Sequence, residues 1–326
     1  MLIGIEKGIR TGGFIENVKK MKLDYRLIDA SQNDVMEQLR GIDIFVWHWT
    51  HQSYREIRSA RAIIKAAEVM GIKVYPDINT CWMFDDKVSQ KYLLEALNVP
   101  VIPTFVFFDK VTASNWLKEC TYPIVYKLPQ GAGATNVRLV NTYEEANEIC
   151  KTHFLLLGNP NISSKKPKVK EICKIWKRMK EPNVLYGTNN KGCIYFQKFI
   201  PDNNYDIRVT TIGDKNYIFK RYVRENDFRA SGSGKIDYEV SEEDLNAIII
   251  ARNISDRIQA QTMAYDFIYD GKSLKVCEMS YGFVEHAVEN CGGWYDKQLR
   301  FHPEEINVYK ETLNVLIGRL EGTEIH

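Results

Sequence analysis

The sequence predicts an α/β unit followed by a larger α+β body, and three observations carry that reading. Short apolar runs alternate with helical patterns through the first 80 residues, the arrangement that builds a small parallel sheet with helices on both faces. Between Tyr122 and Val137 a strand carrying Lys127 runs into the bare turn Gly131-Ala132-Gly133-Ala134 and then into another strand. Further on, Tyr205 to Arg221 and Ala264 to Ser280 each read as two strands about a polar turn, the pattern of an antiparallel hairpin.

At 326 residues the chain has material for two or three domains with substantial cores. A net charge of +2 with 26% charged residues gives no global nucleic-acid or membrane signature, so a basic partner site must be local and neither partner is expected. The seven cysteines are scattered without a C-x-x-C pair, which suits a reduced cytoplasmic protein. Met1 to Ile5 turns charged at Glu6-Lys7, too short for a signal-peptide core, and no apolar run approaches membrane-spanning length.

Taken in order, Leu2 to Ile5, Tyr25 to Asp29, Ile42 to Trp47 and Lys73 to Pro76 read as strands. Between them fall helices over Thr11 to Met21, Gln32 to Leu39 and Ser53 to Met70, the last closed by Gly71. Asp85-Asp86-Lys87 opens a helix through Val88 to Leu97, and Thr104 to Phe108 is the next strand. Thr142 to Cys150 is a helix with a capping box from Thr142 and Glu145. The irregular stretch from Lys151 to Pro182 carries a basic segment, readable as a positive surface for a polyanion or as a solvated insertion helix. Cys193 to Phe199 is an apolar strand, and Glu242 to Gln261 a long amphipathic helix.

Ligands of open α/β sheets sit at the C-terminal ends of the strands, here Lys7 to Gly13 and Trp47 to His51. Lys7 and Arg10 could hold an anionic substrate or be merely solvated. His48 and His51 could contact substrate or pack structurally, and two histidines without a third ligand are poor evidence for zinc. The Lys127 stretch is phosphate-handling in character, because the lysine supplies charge and the bare turn supplies backbone N–H donors. It is neither a Walker P-loop nor a dinucleotide fingerprint, and an ordinary hairpin is the alternative. Asp266 and Glu278 are carboxylates on adjacent strands, able to serve Mg2+ with a polyphosphate or to stand solvated. They share a face only if the intervening loop is odd in length, most simply Gly271-Lys272-Ser273, or if a bulge shifts the register.

The order of these features resembles the ATP-grasp superfamily, in particular its ribosomal-protein-modifying and glutathione-synthetase-type carboxylate–amine ligases. The motifs are Lys87 before the helix leading to Asn98-Val99-Pro100, Lys127 with its glycine loop, the Gln197–Phe199 strand, the run from Asp206 and Arg208 to Lys220, Phe228-Arg229, and Asp266 with Glu278. The resemblance covers roughly residues 80 to 285. It implies a pre-domain over 1–80, a lid subdomain with glycine loop and basic insertion over 81–190, and a metal-bearing subdomain over 191–326, clasping ATP between antiparallel sheets.

The resemblance also implies site roles. Lys87, Lys127, Gly131 and Gly133 would contact phosphates, and Gln197, Lys198 and Phe199 would form the adenine hinge, although the family more often has an acidic residue where Lys198 stands. Asp206 falls among the nucleotide-binding positions. Arg208 would meet the transferred phosphoryl group, the basic pair Lys220-Arg221 would lie near the substrates, with Lys220 the favoured member, and Arg229 would help hold the carboxylate. Asp266, Glu278 and Ser280 would ligate Mg2+ or Mn2+, with serine standing where the family usually has asparagine. The implied reaction is ATP-dependent joining of a small-molecule carboxylate to an amine through an acyl phosphate. A phosphoryl-transfer enzyme, a nucleotide-binding scaffold and a homo-oligomeric state stay open.

Overall fold

The computed structural model describes residues 1–50, 53–131, 137–157, 192–225, 227–230 and 232–320. The chain begins as β1 (Leu2–Glu6), α1 (Gly12–Lys20), β2 (Asp24–Ile28), α2 (Val35–Gln38), β3 (Ile44–Val46), α3 (Tyr54–Val69) and β4 (Lys73–Tyr75). These strands form a parallel sheet in the order β2-β1-β3-β4. The start of α3 is fixed by Ser53, whose Oγ accepts from the Glu56 N–H at 3.3 Å, and the chain leaves it through Gly71 at φ +82°. Strand alternation then sorts the core. Ile44 and Val46 join Ile3, Ile5, Phe14 and Val18 on one face, whereas Phe45 and Trp47 pack with Ala60, Ile64 and Ala67 on the other.

After α4 (Ile78–Cys81) and α5 (Lys87–Ala96), an antiparallel sheet of order β5-β8-β6-β7 forms from β5 (Thr104–Phe107), β6 (Ile124–Lys127), β7 (Val137–Val140) and β8 (Ile194–Lys198). Helices α6 (Lys110–Glu119) and α7 (Tyr143–Leu157) bury Leu117, Ala146 and Phe154 against it. Its strand β8 lies beyond residue 190, where the sequence suggested a boundary.

The largest sheet has the path β13-β12-β9-β10-β14-β15, with β11 (Ile236–Asp237) on β10. Its members are β9 (Tyr205–Ile212), β10 (Lys215–Tyr222), β12 (Thr262–Tyr269), β13 (Leu274–Ser280), β14 (Gly293–Tyr295) and β15 (Phe301–Pro303). Helix α8 (Asn246–Ile258) covers one face, α9 (Glu285–Glu289) lies near the site, and α10 (Val308–Leu320) returns to the first sheet, where Leu313 and Leu316 complete its core. The run into β5 lies along the edge of β13: Ile102 N–H donates to Val276 O at 3.2 Å and Val276 N–H to Pro100 O at 2.8 Å. The two antiparallel sheets therefore diverge from one seam and leave a cleft between them.

Candidate functional site

Register writes the charged centre of this cleft. The β9–β10 turn has two residues, Gly213 and Asp214, so each pair of opposed residues sums to 427 and Asp206 faces Arg221. On the other side of β9, Arg208 faces Asp266 of β12. Arg208 donates from Nε to Asp266 Oδ1 at 2.7 Å and from Nη2 to Oδ2 at 2.8 Å. Arg221 donates from Nε to Asp206 Oδ1 at 2.7 Å and from Nη2 to Oδ2 at 2.5 Å, and its Nη2 also lies 2.8 Å from Asp266 Oδ2. The result is a buried array of two arginines and two aspartates across three adjacent strands. Burial pushes the Asp206 carboxyl up, helped by the charge of Asp266. For Asp266 burial pulls the same way but loses to Arg208 and Arg221, which hold it well below the usual carboxylate range.

Asp266 and Glu278 are directly opposed on β12 and β13. The connecting loop is even, with Tyr269 paired to Leu274, so the odd loop expected from the sequence does not form. A bulge between Asp266 and Phe267 shifts the pairing by one residue and restores the shared face. Gly271 takes φ +86° in that loop. Lys87 Nζ lies 3.2 Å from Glu278 Oε1 and donates to Gly131 O at 2.8 Å, tying the first turn of α5 to the glycine loop and the acidic hairpin. Asp85 Oδ1 accepts from Gly131 N–H at 2.7 Å.

Two clefts meet at Asp266 and Glu278. The first is lined by Lys87, Lys127, Gln197, Lys198, Phe199 and Asp206, with Gly131 and Arg229 also on its wall. Lys127 is buried, and its Nζ donates to Cys277 Sγ at 3.7 Å. Gln197 Nε2 donates to Thr104 Oγ1 at 3.1 Å, and the Lys198 N–H to Pro103 O at 2.9 Å. Phe199 meets Phe228 edge-on at 5.7 Å. Arg229 is held by Asp227, with Nη2 to Oδ2 at 2.7 Å, so its guanidinium sits beside the first cleft instead of at the charged centre.

The second cleft, about 500 Å³, lies between the parallel sheet and the large sheet and is lined by Arg10, His48, Trp49, Arg208, Arg221 and Ser280 among others. Both loops expected from strand-end logic reach it. His48 is buried against Tyr281, with ring centroids 5.5 Å apart, and burial, then the charge of Arg10, push its pKa down to about 3. It is a neutral imidazole at physiological pH.

The structure does not bring every expected residue together. Lys220 points to the opposite face of β10, 3.6 Å from Asp237 and 4.0 Å from Asp244, because alternation gives the cleft to its neighbour Arg221. Lys7 is exposed and lines neither cleft. Gly133, His51 and the basic insertion beyond residue 157 lie outside the described residues. The sequence offered Arg221 only as the second member of a basic pair with Lys220; the observed two-residue turn, shorter than Gly213-Asp214-Lys215, sets it opposite Asp206.

Among the described residues no group of three or more His, Cys, Asp or Glu side chains converges as a ligand shell. Ser280 Oγ donates to Gly282 O at 2.8 Å and accepts from Gly282 N–H at 3.1 Å, closing the hydroxyl on its own turn. Asp266 is committed to two arginines through both oxygens, whereas Glu278, half-buried at the junction of the clefts, meets Lys87 through Oε1 and is the less committed carboxylate. That suits one Mg2+ whose shell is completed by phosphate oxygens and water.

No family model matches the chain. It is similar to the alpha-aminoadipate–LysW ligase LysX of Saccharolobus solfataricus, at 26% identity over 185 residues, 54% of this chain and 54% of that protein. The match thus spans about half the length of that curated relative. Among solved structures, a RimK domain ATP-grasp protein from Sphaerobacter thermophilus superimposes with a TM-score of 0.61 at 14% identity, over 98% of this chain and 100% of that one. D-alanine–D-alanine ligase from Bacillus anthracis complexed with ATP gives 0.57 at 14% identity, over 99% and 97%. The chain has the ATP-grasp fold, as its motif order suggested. Among the described residues no helix is long and apolar enough to cross a membrane.

Proposed function

We propose that the chain is an ATP-dependent carboxylate–amine ligase. The observation that supports it best is the pair of clefts joined at Asp266 and Glu278, one offering lysines and an apolar slot to a nucleotide, the other offering arginines to a second substrate. Lys87 and Lys127 would hold phosphate oxygens, and Gln197 to Phe199 would border the base. A bound Mg2+ at Glu278 would neutralise β- and γ-phosphate charge. Arg208 faces the second cleft from the charged centre and would stabilise the phosphoryl group in transfer. A carboxylate oxygen attacks the γ-phosphorus while its bond to the bridging oxygen of ADP breaks, giving an acyl phosphate. The amine nitrogen then attacks the acyl carbon, phosphate leaves, and the nitrogen loses a proton. The chain supplies positioning and charge instead of a covalent nucleophile.

The test is release of ADP and phosphate against a panel of carboxylates, with and without a panel of amines, followed by mass measurement of the product. The ligase reading expects an amide and ADP in equal amounts. A stable phosphorylated product without an amide would replace it by phosphoryl transfer, and absence of nucleotide binding would replace it by a scaffold.

A further inference from the structure

We propose that Arg10 is a specificity residue that binds a carboxylate group other than the one that reacts, so that a substrate of the second cleft carries an additional anionic end. The inference rests on the ligase reading for its chemistry, but the anion site itself stands on the charge inventory of the cleft. Arg208 and Arg221 are compensated by Asp266 and Asp206. Of the acids on the cleft wall, Asp266 is held by those arginines, Glu278 faces Lys87 and Asp85 accepts from Gly131 N–H. Arg10 is half-buried on the same wall and makes no ion pair or hydrogen bond among the described residues.

Its surroundings sharpen the preference. Trp49, Phe84, Phe219 and Phe283 line the cleft, the adjacent His48 is neutral and does not compete for an anion, and Glu285, 4.0 Å from His48 Nδ1, makes no ion pair with Arg10 among the described residues. A half-buried cation facing apolar walls gains more from an anionic ligand than the same cation in open water. The guanidinium fork matches a carboxylate in two parallel hydrogen bonds. One arginine supplies a single positive charge, which suits a monoanionic carboxylate better than a phosphate dianion. Arg10 enters from the loop after β1 and Arg208 from β9, so the cleft carries these two cations on separate elements, one paired with Asp266 and the other open to a second anionic group. The carboxylate can belong to the acid that is activated or to the amine that accepts it.

The experiment uses the full chain, with Arg10→Gln and Arg10→Lys. Calorimetry in the presence of ADP compares glutarate with its monoamide, and alanine with alaninamide, so that each pair differs in one charge. ADP release is measured on the same pairs with ATP. The expected result is that the wild type prefers the charged member of at least one pair, and that Arg10→Gln loses about 10- to 100-fold in that affinity or in kcat/KM, largely through KM. Arg10→Lys should recover part of the loss. Preference in the first pair assigns the carboxylate to the acid, and in the second pair to the amine. Equal binding of both members of both pairs, or an equal loss for charged and uncharged members in Arg10→Gln, overturns the proposal. Charge-dependent binding that needs Arg10, with no amide formed across the carboxylate and amine panels, keeps the anion site and removes the ligase reading.

Discussion

Replacing Arg221 by methionine should be among the most destabilising single changes in the chain. Arg221 is buried, makes bonds of 2.7 and 2.5 Å to Asp206 and reaches Asp266 at 2.8 Å. Asp266 would retain its paired bonds from Arg208, but Asp206 would be left as a buried carboxylate without its arginine. Breaking one side of a buried pair costs about 3–5 kcal/mol, against about 0–1 kcal/mol for an exposed pair. The loss should depend on pH with a definite sign. The Asp206 carboxyl is already raised in the fold, and losing Arg221 raises it further, so the folded state holds a proton that the unfolded chain releases above about pH 4. Stability of the variant therefore falls as pH rises, and the deficit is larger at pH 8 than at pH 5. Adding Asp206→Leu removes the stranded charge and should recover about 2–4 kcal/mol, because an apolar replacement of both partners is often close to neutral. Urea unfolding followed by tryptophan fluorescence on the two single variants and the double variant gives the coupling energy. A single-variant loss below about 1 kcal/mol, or additivity within about 0.5 kcal/mol, would refute the reasoning.

Lys127→Ala should weaken ATP binding about 10- to 100-fold while leaving the urea midpoint nearly unchanged, and calorimetry with unaltered affinity would remove its phosphate role. Glu278→Gln should raise the Mg2+ concentration for half-maximal nucleotide affinity about tenfold or more, whereas Ser280→Ala should barely move it, since that hydroxyl is spent on Gly282; equal effects would contradict the single-carboxylate assignment. Glu6 is buried with its Oε2 unpartnered, and burial, then Glu56, push its pKa up to about 7 from 4.5. Its folded state keeps a proton that the unfolded chain gives up, so its contribution declines by about 1.4 kcal/mol per pH unit across that window. Glu6→Gln should thus gain on the wild type between pH 5 and pH 7. His48, whose folded pKa is depressed, works in the opposite sense and its slope should stand out once Glu6 is gone; a pH-independent difference would contradict the burial argument.

Local codes were the legible part of this sequence. Asp86, whose carboxylate accepts from the Val88 and Ser89 N–H groups at 3.1 Å, and Gly71 with its positive φ mark helix ends through interactions within a few residues. The parallel sheet followed from the same kind of signal. The Asp266–Glu278 face was recoverable from parity, although the choice between an odd loop and a bulge was not, because the extra residue is Cys277 within β13 and no local pattern marks it. The Lys220-Arg221 pair was legible as a motif, but which member enters the cleft follows from strand alternation, which gives it to Arg221 and turns Lys220 to the far face. The closing of α10 on the first sheet and the capture of Asp266 by two arginines join residues from distant parts of the chain, and no local pattern records such pairings. Ser280 was visible as a departure from asparagine, but its turn-closing bond needed the backbone geometry of Gly282.

In the proposed reaction a carboxylate held in the second cleft attacks the γ-phosphorus of ATP held in the first. It can be read from the fate of one oxygen. With a carboxylate substrate labelled with 18O at both oxygens, the amine acceptor and unlabelled ATP, attack by the carboxylate predicts one 18O in each phosphate released, seen as a single isotopic step by 31P NMR or mass spectrometry. Amide formation with phosphate free of label would contradict the account.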